Sequence, residues 1–352
     1  MPQTLFPTTL FVFSQYWPFY LIFIIFIFVI LFLDLGIFNR KDHVVSVKEA
    51  LIWSCVWIIL AIAFNLFFYF YATGKSTEWY LEHIWAIPKG MTAQTAGAIE
   101  GKNSGLEFLA GYIIEKTLAL DNIFVFVMIF KYFETPLKYQ HKILFFGILG
   151  ALFFRAIFIS IGAELVEYDW VLILFGGFLI LTGIKLLFMP EKEKDIGSNF
   201  LIRWFRKSGW VSTKNWEEIQ GRFFIRENGK IFITTLFLVL ILIEFSDIVF
   251  AVDSVPAIFA ITREPLIVFT SNIFAILGLR SLYFLLANMV EKFEYLKYGL
   301  AVILVFVGIK MAWLNNLYGG KFPISISLAF IFLVLVVCTV VSVVKLRLRP
   351  RM

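Results

Sequence analysis

Acidic and amide side chains occur in this chain inside long apolar stretches, where bulk water does not solvate them. They are Glu115, Asp121, Asn122, Glu244, Asp247 and Asp253. A charged side chain at the centre of a membrane-spanning helix costs roughly 2.5–3.5 kcal/mol. Because such residues are rare in membranes and mark ion or proton pathways, these six are the candidate functional residues.

The chemistry of these side chains favours a hard divalent cation. Carboxylate and amide oxygens suit Mn²⁺, Mg²⁺ and Ca²⁺, whereas Zn²⁺ and Cu²⁺ prefer His and Cys. The three His lie in predicted loops, and neither of the two Cys lies in the stretches that hold the acids. The sequence does not choose among the hard cations. A metal ion must displace the proton of a carboxyl group before it binds, so exchange of the cation for protons is a hypothesis. No resident cofactor is expected.

The elements that position these side chains are predicted to be membrane-spanning helices. Of the 352 residues, 61% are hydrophobic and 16% are charged, against about 45–50% and ~25% in soluble domains. The composition excludes a disordered chain, a secreted disulfide scaffold and a nucleic-acid-binding protein. A span needs about 20 apolar residues, and nine such stretches predict an all-α, polytopic membrane protein. Their approximate bounds are 17–38, 50–72, 106–130, 143–164, 170–189, 231–257, 266–289, 297–314 and 322–344.

The distribution of Lys and Arg predicts how the spans are oriented, because cytoplasmic loops hold the excess of these residues. With nine spans, the loops on one side carry 21 of the 31 Lys and Arg, those on the other side carry 5, and 5 lie within spans. The N-terminus is therefore predicted outside the cell and the C-terminus in the cytoplasm. The net charge of +6 follows mostly from this topology.

The six middle spans repeat at an offset of 125 residues. Arg155 corresponds to Arg280 at this offset, Asn122 to Asp247, and the sequence GIK at 183–185 to the same sequence at 308–310. Each unit has three spans, an odd number, so the second unit enters the membrane in the opposite sense. Inverted repeats of this kind are typical of transporters, whose site lies near the midplane between the repeats.

This repeat divides the chain into five predicted regions. Residues 1–105 hold two helices and an extracytoplasmic loop, and residues 106–189 form the first three-helix repeat. Residues 190–230 are a basic cytoplasmic loop, residues 231–314 form the second repeat, and residues 315–352 are a final helix with a basic tail.

Helix geometry places most of the acids near the middle of the bilayer. At 1.5 Å per residue, Glu115, Asp121 and Asn122 lie within about 6 Å of the midplane. Asp253 would point away from Glu244 on an ideal helix. We expect a kink at Pro256, which removes a helix hydrogen bond, to turn Asp253 inward.

Basic side chains in the same spans leave an alternative open. They are Lys116, Arg155, Lys185, Arg280 and Lys310. Because a cation repels a cation, we expect them to neutralise charge or to gate rather than to bind cargo. They equal the buried acids in number, so acids and bases could also form ion pairs that only position helices. The protein would then be a non-transporting membrane scaffold or stress-response subunit. An enzyme is not expected, because the spans hold no nucleophile–base set, phosphate loop or redox pair.

Two blocks of sequence resemble the signatures of the TerC/Alx family of integral membrane proteins. The first is GYIIEKTLALDN at 111–122, and the second is IEFSDIVFAVDSVPAIFAIT at 243–262 followed by SNIFAILGLRSLYF at 271–284. The resemblance covers essentially the whole chain, including LDLG at 33–36 and GIKM at 308–311, and is greatest with the Alx-like branch.

This resemblance implies a bacterial inner-membrane protein of the wider LysE-like transporter group. Members are associated with manganese export, with tellurite-resistance gene clusters and with redox modulation. The acidic motif residues of the family fall on the six candidate residues and on Ser254. We therefore expect an exporter of Mn²⁺ or a similar hard cation, and the outward direction rests on the resemblance alone. The redox label gains no support from the sequence, which shows no thiol pair.

Overall fold

The computed structural model describes residues 10–11, 13–33, 46–188, 200–212, 214–227, 229–287, 296–318 and 322–348, and it is a bundle of helices with one small β-hairpin. The helices are α1 (Phe13–Leu33), α2 (Val47–Glu82), α3 (Ala93–Tyr132), α4 (Leu137–Leu165), α5 (Asp169–Phe188), α6 (Phe200–Ser208), α7 (Trp216–Ile219), α8 (Thr235–Phe259), α9 (Pro265–Leu277), α10 (Leu279–Leu286), α11 (Leu296–Ile309), α12 (Asn315–Leu317) and α13 (Ile324–Leu348). Strands β1 (Phe224–Glu227) and β2 (Lys230–Ile233) pair antiparallel.

The all-α membrane architecture predicted from the sequence is confirmed. Seven described helices are long and apolar enough to cross a membrane, and the count is eight if α9 and α10, which are bent by 40° at their junction, are taken together as one span. The one predicted span that is missing from this set, 106–130, corresponds to α3, which has 40 residues but carries several charged side chains and does not meet the same test. The count of nine is therefore approximate.

Short polar residues begin the long helices. The hydroxyl of Ser46 accepts a hydrogen bond from the amide of Glu49 at the start of α2, and that of Thr234 accepts one from Phe237 at the start of α8. Thr92 and Thr95 form a reciprocal capping box before α3. These caps satisfy amides that have no partner within the helix.

The contacts among the six central helices follow the 125-residue offset. Helix α3 packs against α9, and its counterpart α8 packs against α4, the counterpart of α9. Helices α5 and α11 pack against each other. A Cβ atom at Gly176 would lie 2.8 Å from the carbonyl oxygen of Gly308, and one at Gly183 would lie 2.7 Å from that of Ala301. At the offset of 125, residue 176 corresponds to residue 301 and residue 183 corresponds to residue 308. The two contacts are therefore equivalent, and the α5–α11 crossing is symmetric.

Residues 200–233 pack on one end of this bundle. The indole nitrogen of Trp216 donates to the carbonyl of Phe133 at 3.2 Å, and the Lys142 amine donates to the carbonyl of Gly221 at 2.8 Å. We call this the hairpin end, where α3 ends and α4 and α8 begin. The opposite end, where α8 ends and α9 begins, is the far end.

The break in the helices lies elsewhere than the sequence predicts. Helix α8 continues through Pro256 to Phe259 as one helix, so the expected kink there is wrong. The break lies instead in the predicted span 266–289, at Gly278, between α9 and α10. Pro256 lies in the last turn of α8, where little helix remains to be redirected.

Candidate functional site

Arg155 is the centre of a buried polar cluster in the middle of the bundle. Its side chain is 2% exposed, and its Nε and Nη2 donate to the two carboxylate oxygens of Asp247 at 3.4 and 3.2 Å. Its Nη1 donates to Glu115 Oε1. The same Nη1 lies 3.2 Å from both Ser254 Oγ and Asn272 Oδ1. A planar guanidinium can serve this many acceptors because it carries five donors in a fixed fork.

The cluster joins the two repeats. Glu115 and Arg155 come from α3 and α4, whereas Asp247, Ser254 and Asn272 come from α8 and α9. On α3 and α8 the polar residues separate two apolar cores, one toward the hairpin end and one toward the far end. Two carboxylates share one guanidinium, so the cluster is acidic by one charge when both carboxylates are ionised.

Glu244 adds a third carboxylate one helical turn from Asp247. Its carboxylate lies in a notch on α4 that exists because residue 150 is glycine, and a Cβ atom there would overlap the carboxylate. Within the described residues, the buried Oε2 atoms of Glu244 and Glu115 have no hydrogen-bond partner. These two oxygens are therefore available to a proton or a cation.

A small pocket lies beside Asp247 on the hairpin side of Arg155. Its polar lining residues are Asp247 and Arg280, and apolar residues of α3, α4, α8 and α10 complete the wall, including Phe126 and Leu144. It has room for about one water molecule. The pocket thus reaches from the carboxylate cluster toward the hairpin end.

The remaining predicted site residues lie on α3, α5 and α8 and just after α11. Asn122 is buried on α3, and Lys310 is buried in a π-helical turn, Lys310–Leu314, that follows α11. Asp253 is half-buried on α8, and the positive charge of Lys185 on α5 is near enough to attract its carboxylate. The backbone of Asp121 lies in α3, but its side chain is outside the described part of the structure.

The described acids do not form a ready-made metal site. Among the described residues, no group of three or more His, Cys, Asp and Glu has an arrangement that could hold a metal ion. The physical reason is visible in the cluster, where the guanidinium of Arg155 occupies the space between Glu115 and Asp247.

Lys116 does not contact the carboxylate cluster. Its amine donates to the carbonyl oxygen of Ala275 at 2.7 Å, in the last turn of α9. It also lies 5.6 Å from the centre of the Tyr112 ring. The structure thus places the Lys116 amine at the end of α9, and its role in neutralising charge stays a prediction.

Asn272 is a site residue that the search for charged groups missed. It is fully buried, and its Oδ1 accepts from Arg155. A neutral side chain gives no signal in a charge search, although an Asn within an apolar stretch is itself unusual. Ser254, noted only through the family resemblance, contacts the same guanidinium nitrogen.

Comparison with known proteins places the chain in a family. Residues 100–349 match the integral membrane protein TerC family. This chain belongs to the TerC family. The matched range contains Glu115, Arg155, Asp247, Ser254 and Asn272, so the whole cluster lies within the part that defines the family.

Relatives match over most of their length. A membrane protein of Myxococcus xanthus is 46% identical over 329 residues, 93% of this chain and 92% of the relative. A protein of Escherichia coli strain K12 is 44% identical over 316 residues, 89% of this chain and 90% of the relative, and its name proposes it as a membrane-bound redox modulator, Alx. A Rickettsia bellii membrane protein is 41% identical over 293 residues, 83% of this chain and 87% of the relative. No solved structure gives a significant match.

Proposed function

We propose that this TerC-family protein exports Mn²⁺ or a similar hard divalent cation from the cytoplasm in exchange for protons. The observation that carries the proposal is the set of oxygens around Arg155. Glu115, Asp247, Ser254 and Asn272 all direct oxygen atoms at one guanidinium. If Arg155 withdraws, those oxygens surround a space of the kind that hard cations bind.

In this proposal Arg155 and the cargo compete for the same oxygens. The guanidinium supplies one positive charge and keeps the carboxylates paired when no cation is bound. A divalent cation brings two charges and displaces it, because the two cations repel at short range. The structure then corresponds to the cation-free form, in which an internal counter-ion fills the site.

The unpartnered carboxylate oxygens supply the proton side of the exchange. Glu244 Oε2 and Glu115 Oε2 lie beside the Arg155 cluster, and neither is bonded within the described residues. A carboxyl group binds either a proton or a metal ion, so metal binding releases protons. No covalent chemistry is required, and we propose that the protein is not an enzyme.

The pocket beside Asp247 offers the cation a place to enter, while the outward direction rests on the family resemblance. It lies between the cluster and the hairpin end, which the positive-inside rule assigns to the cytoplasm. We propose that the cation enters by this side and leaves at the far end. Export, the bacterial inner membrane and a cytoplasmic C-terminus are parts of this proposal, as is any link to tellurium resistance.

The scaffold alternative has its own support in the ion pairs of Arg155. Two of the buried acids are bound to a buried base, as a purely structural network requires. Glu244 favours transport instead, because its carboxylate lies at the cluster with one oxygen unbonded in the described residues. The name of one relative proposes a redox function. The thiols that could serve such a function here are two free cysteines, the exposed Cys55 on α2 and the half-buried Cys338 on α13.

Metal flux in proteoliposomes tests the proposal. Uptake of Mn²⁺ is compared for the intact protein, Asp247→Asn and Asp169→Asn, with and without a pH gradient. Asp247→Asn keeps the shape and removes the charge, so we expect a loss of about tenfold or more. Asp169 is the matched control, because it is 93% exposed and lies 3.9 Å from Arg263 at the surface, where removal of a charge changes flux by less than about twofold.

Each outcome decides between the two functions. Flux by the intact protein and the control, with loss in Asp247→Asn, supports the carboxylate site, and dependence on the pH gradient supports proton exchange. If the folded intact protein moves none of Mn²⁺, Mg²⁺ or Ca²⁺, the transport proposal is wrong for these cations and the scaffold becomes the better account.

A further inference from the structure

The break between α9 and α10 is maintained by what packs against it. Gly278 has φ −82° and ψ 0°, a conformation that residues other than glycine adopt. Backbone conformation therefore does not require glycine here. A Cβ atom at this position would lie 2.5 Å from the amine of Lys116 and 3.3 Å from Cβ of Trp57. A side chain at this position would therefore displace the tip of Lys116 and press against Trp57.

Lys116 holds the α9 side of this break. Its amine donates to the carbonyl oxygen of Ala275 at 2.7 Å. The last carbonyls of a helix have no partner within the helix, and a positive charge is favourable at that end. On the other side of the break, the Ser281 hydroxyl donates to the carbonyl oxygen of Gly278 at 3.1 Å.

The same short segment of α3 also holds the carboxylate cluster. Glu115, the residue before Lys116, accepts from Arg155. Arg280, two residues beyond Gly278, lines the pocket together with Asp247. Glu115 on α3 therefore contacts Arg155. The next residue, Lys116, contacts α9, which is followed by Gly278 and by α10 with Arg280.

We infer that Gly278 is a hinge and that Lys116 is the positioning residue that sets its angle and so places Arg280 beside Asp247. When Glu115 exchanges Arg155 for another cation, the movement of α3 reaches α10 through Lys116. The inference rests on the proposed function for its role in transport. The hinge itself is a property of the fold and is measured without any flux.

A distance from the start of α4 to the end of α10 tests the inference. Spin labels are placed at Leu137→Cys and Leu286→Cys, in a chain in which Cys55 and Cys338 are replaced by Ser. Leu137 is 55% exposed at the start of α4, and Leu286 ends α10. Helix α10 has eight residues and is thus ~12 Å long, so a change of about 15° moves its end by about 3 Å. The distance distribution is recorded by electron–electron double resonance for each variant.

The variants separate the amine from the shape of the side chain. Lys116→Met removes the donor and keeps an apolar stem, so we expect the distribution to broaden or to shift by about 3 Å. Lys116→Arg keeps the charge and restores the intact distribution. In the same preparations, we expect Lys116→Met to lower the Mn²⁺ transport rate about tenfold or more, while its Kd for Mn²⁺ stays within about threefold of the intact value.

A second substitution covers the case in which Lys116→Met does not fold. Gly278→Ala keeps the Lys116 charge but displaces its tip, and we expect the same change in distance. Gly74→Ala is the matched control, because a Cβ atom at Gly74 meets nothing within 4 Å.

The results for the hinge and for transport are independent. An unchanged distribution in both Lys116→Met and Gly278→Ala overturns the hinge, whatever the flux. A changed distribution in a protein that moves no metal ion overturns the proposed function and leaves the hinge standing.

Discussion

A single arginine connects the three helices that meet at the centre of this protein. Arg155 balances part of the charge of Glu115 and Asp247, and every acceptor around it comes from α3, α8 or α9. In an apolar surrounding, an ion pair of this kind contributes little net stability, but loss of one partner leaves an uncompensated charge. The energetic consequence of the cluster is therefore seen when Arg155 is removed.

Removal of Arg155 is expected to destabilise the fold strongly. Arg155→Met leaves the buried carboxylates of Glu115 and Asp247 without their counter-charge, and the free energy of unfolding falls by about 3–5 kcal/mol. Thermal unfolding in detergent measures this as a lower Tm. Neutralising the acids in the same chain, with Glu115→Gln and Asp247→Asn, removes the uncompensated charge and recovers much of the loss.

The surface residue Arg263 provides the control for this prediction. It lies 3.9 Å from the exposed Asp169, so Arg263→Met changes stability by less than about 1 kcal/mol. If Arg155→Met is as stable as Arg263→Met, the cluster is solvated and the balance of charge described here is wrong.

At the residue scale, the sequence predicted which charged residues lie in the cluster better than it predicted what each of them contacts. Glu115, Asp247 and Arg155 stand out because charges are expensive in apolar stretches. Which acid faces which base depends on helix rotation, and apolar stretches without a polar face carry little information about rotation. The sequence could not show that the guanidinium of Arg155 lies between Glu115 and Asp247. Asn272 was missed although it is an amide within an apolar stretch, as Asn122 is.

At the scale of elements, the α5–α11 pair shows how glycine determines a helix crossing. A Cβ atom at Gly308 would lie 2.6 Å from the carbonyl oxygen of Gly176. The neighbour is backbone, so it cannot move aside without displacing a helix. Close approach through small residues is how helices associate in membranes, where the hydrophobic effect does not drive packing.

Gly308→Ala is therefore expected to weaken the protein. Overpacking of this kind costs about 1–3 kcal/mol, which appears as a lower Tm in detergent. Gly177→Ala is the matched control, because residue 177 lies in the same pair of helices and a Cβ atom there meets nothing within 4 Å. Equal Tm values for the two variants would contradict the close crossing.

Helix existence was predictable, whereas the position of the helix break was not. Stretches of about 20 apolar residues can only be helices in a membrane, so the spans follow from composition. Pro256 is the residue that sequence rules associate with a kink, yet α8 continues through it. The break occurs at Gly278, beside which Lys116 and Trp57 from other helices occupy the space. Contacts of this kind are not encoded in local sequence.

At the scale of the whole molecule, the beginning of the described chain meets the far end of the bundle. The amides of Leu10 and Phe11 donate to the carboxylate of Glu264, more than 250 residues away. The Thr262 hydroxyl contacts the Glu264 amide and donates to Glu107 at 2.5 Å. Phe11 is buried, and its ring lies 5.4 Å from that of Phe68 on α2. No role for this N-terminal segment could be predicted from the sequence, because its partner acid, Glu264, lies in the second repeat.

Hydrogen exchange at Leu10 and Phe11 measures how firmly Glu264 holds this segment. Glu264→Gln replaces one acceptor oxygen by a donor, so it removes a charge-assisted hydrogen bond of about 1.5–3 kcal/mol. If exchange occurs by local opening, the two amides exchange about tenfold faster or more in the variant. Glu78→Gln is the control, because Glu78 forms a surface pair with Lys75 and leaves these amides unchanged. Equal protection in both variants would mean that packing of Phe11 alone holds the segment, and that the far end is closed by apolar contact and not by this carboxylate.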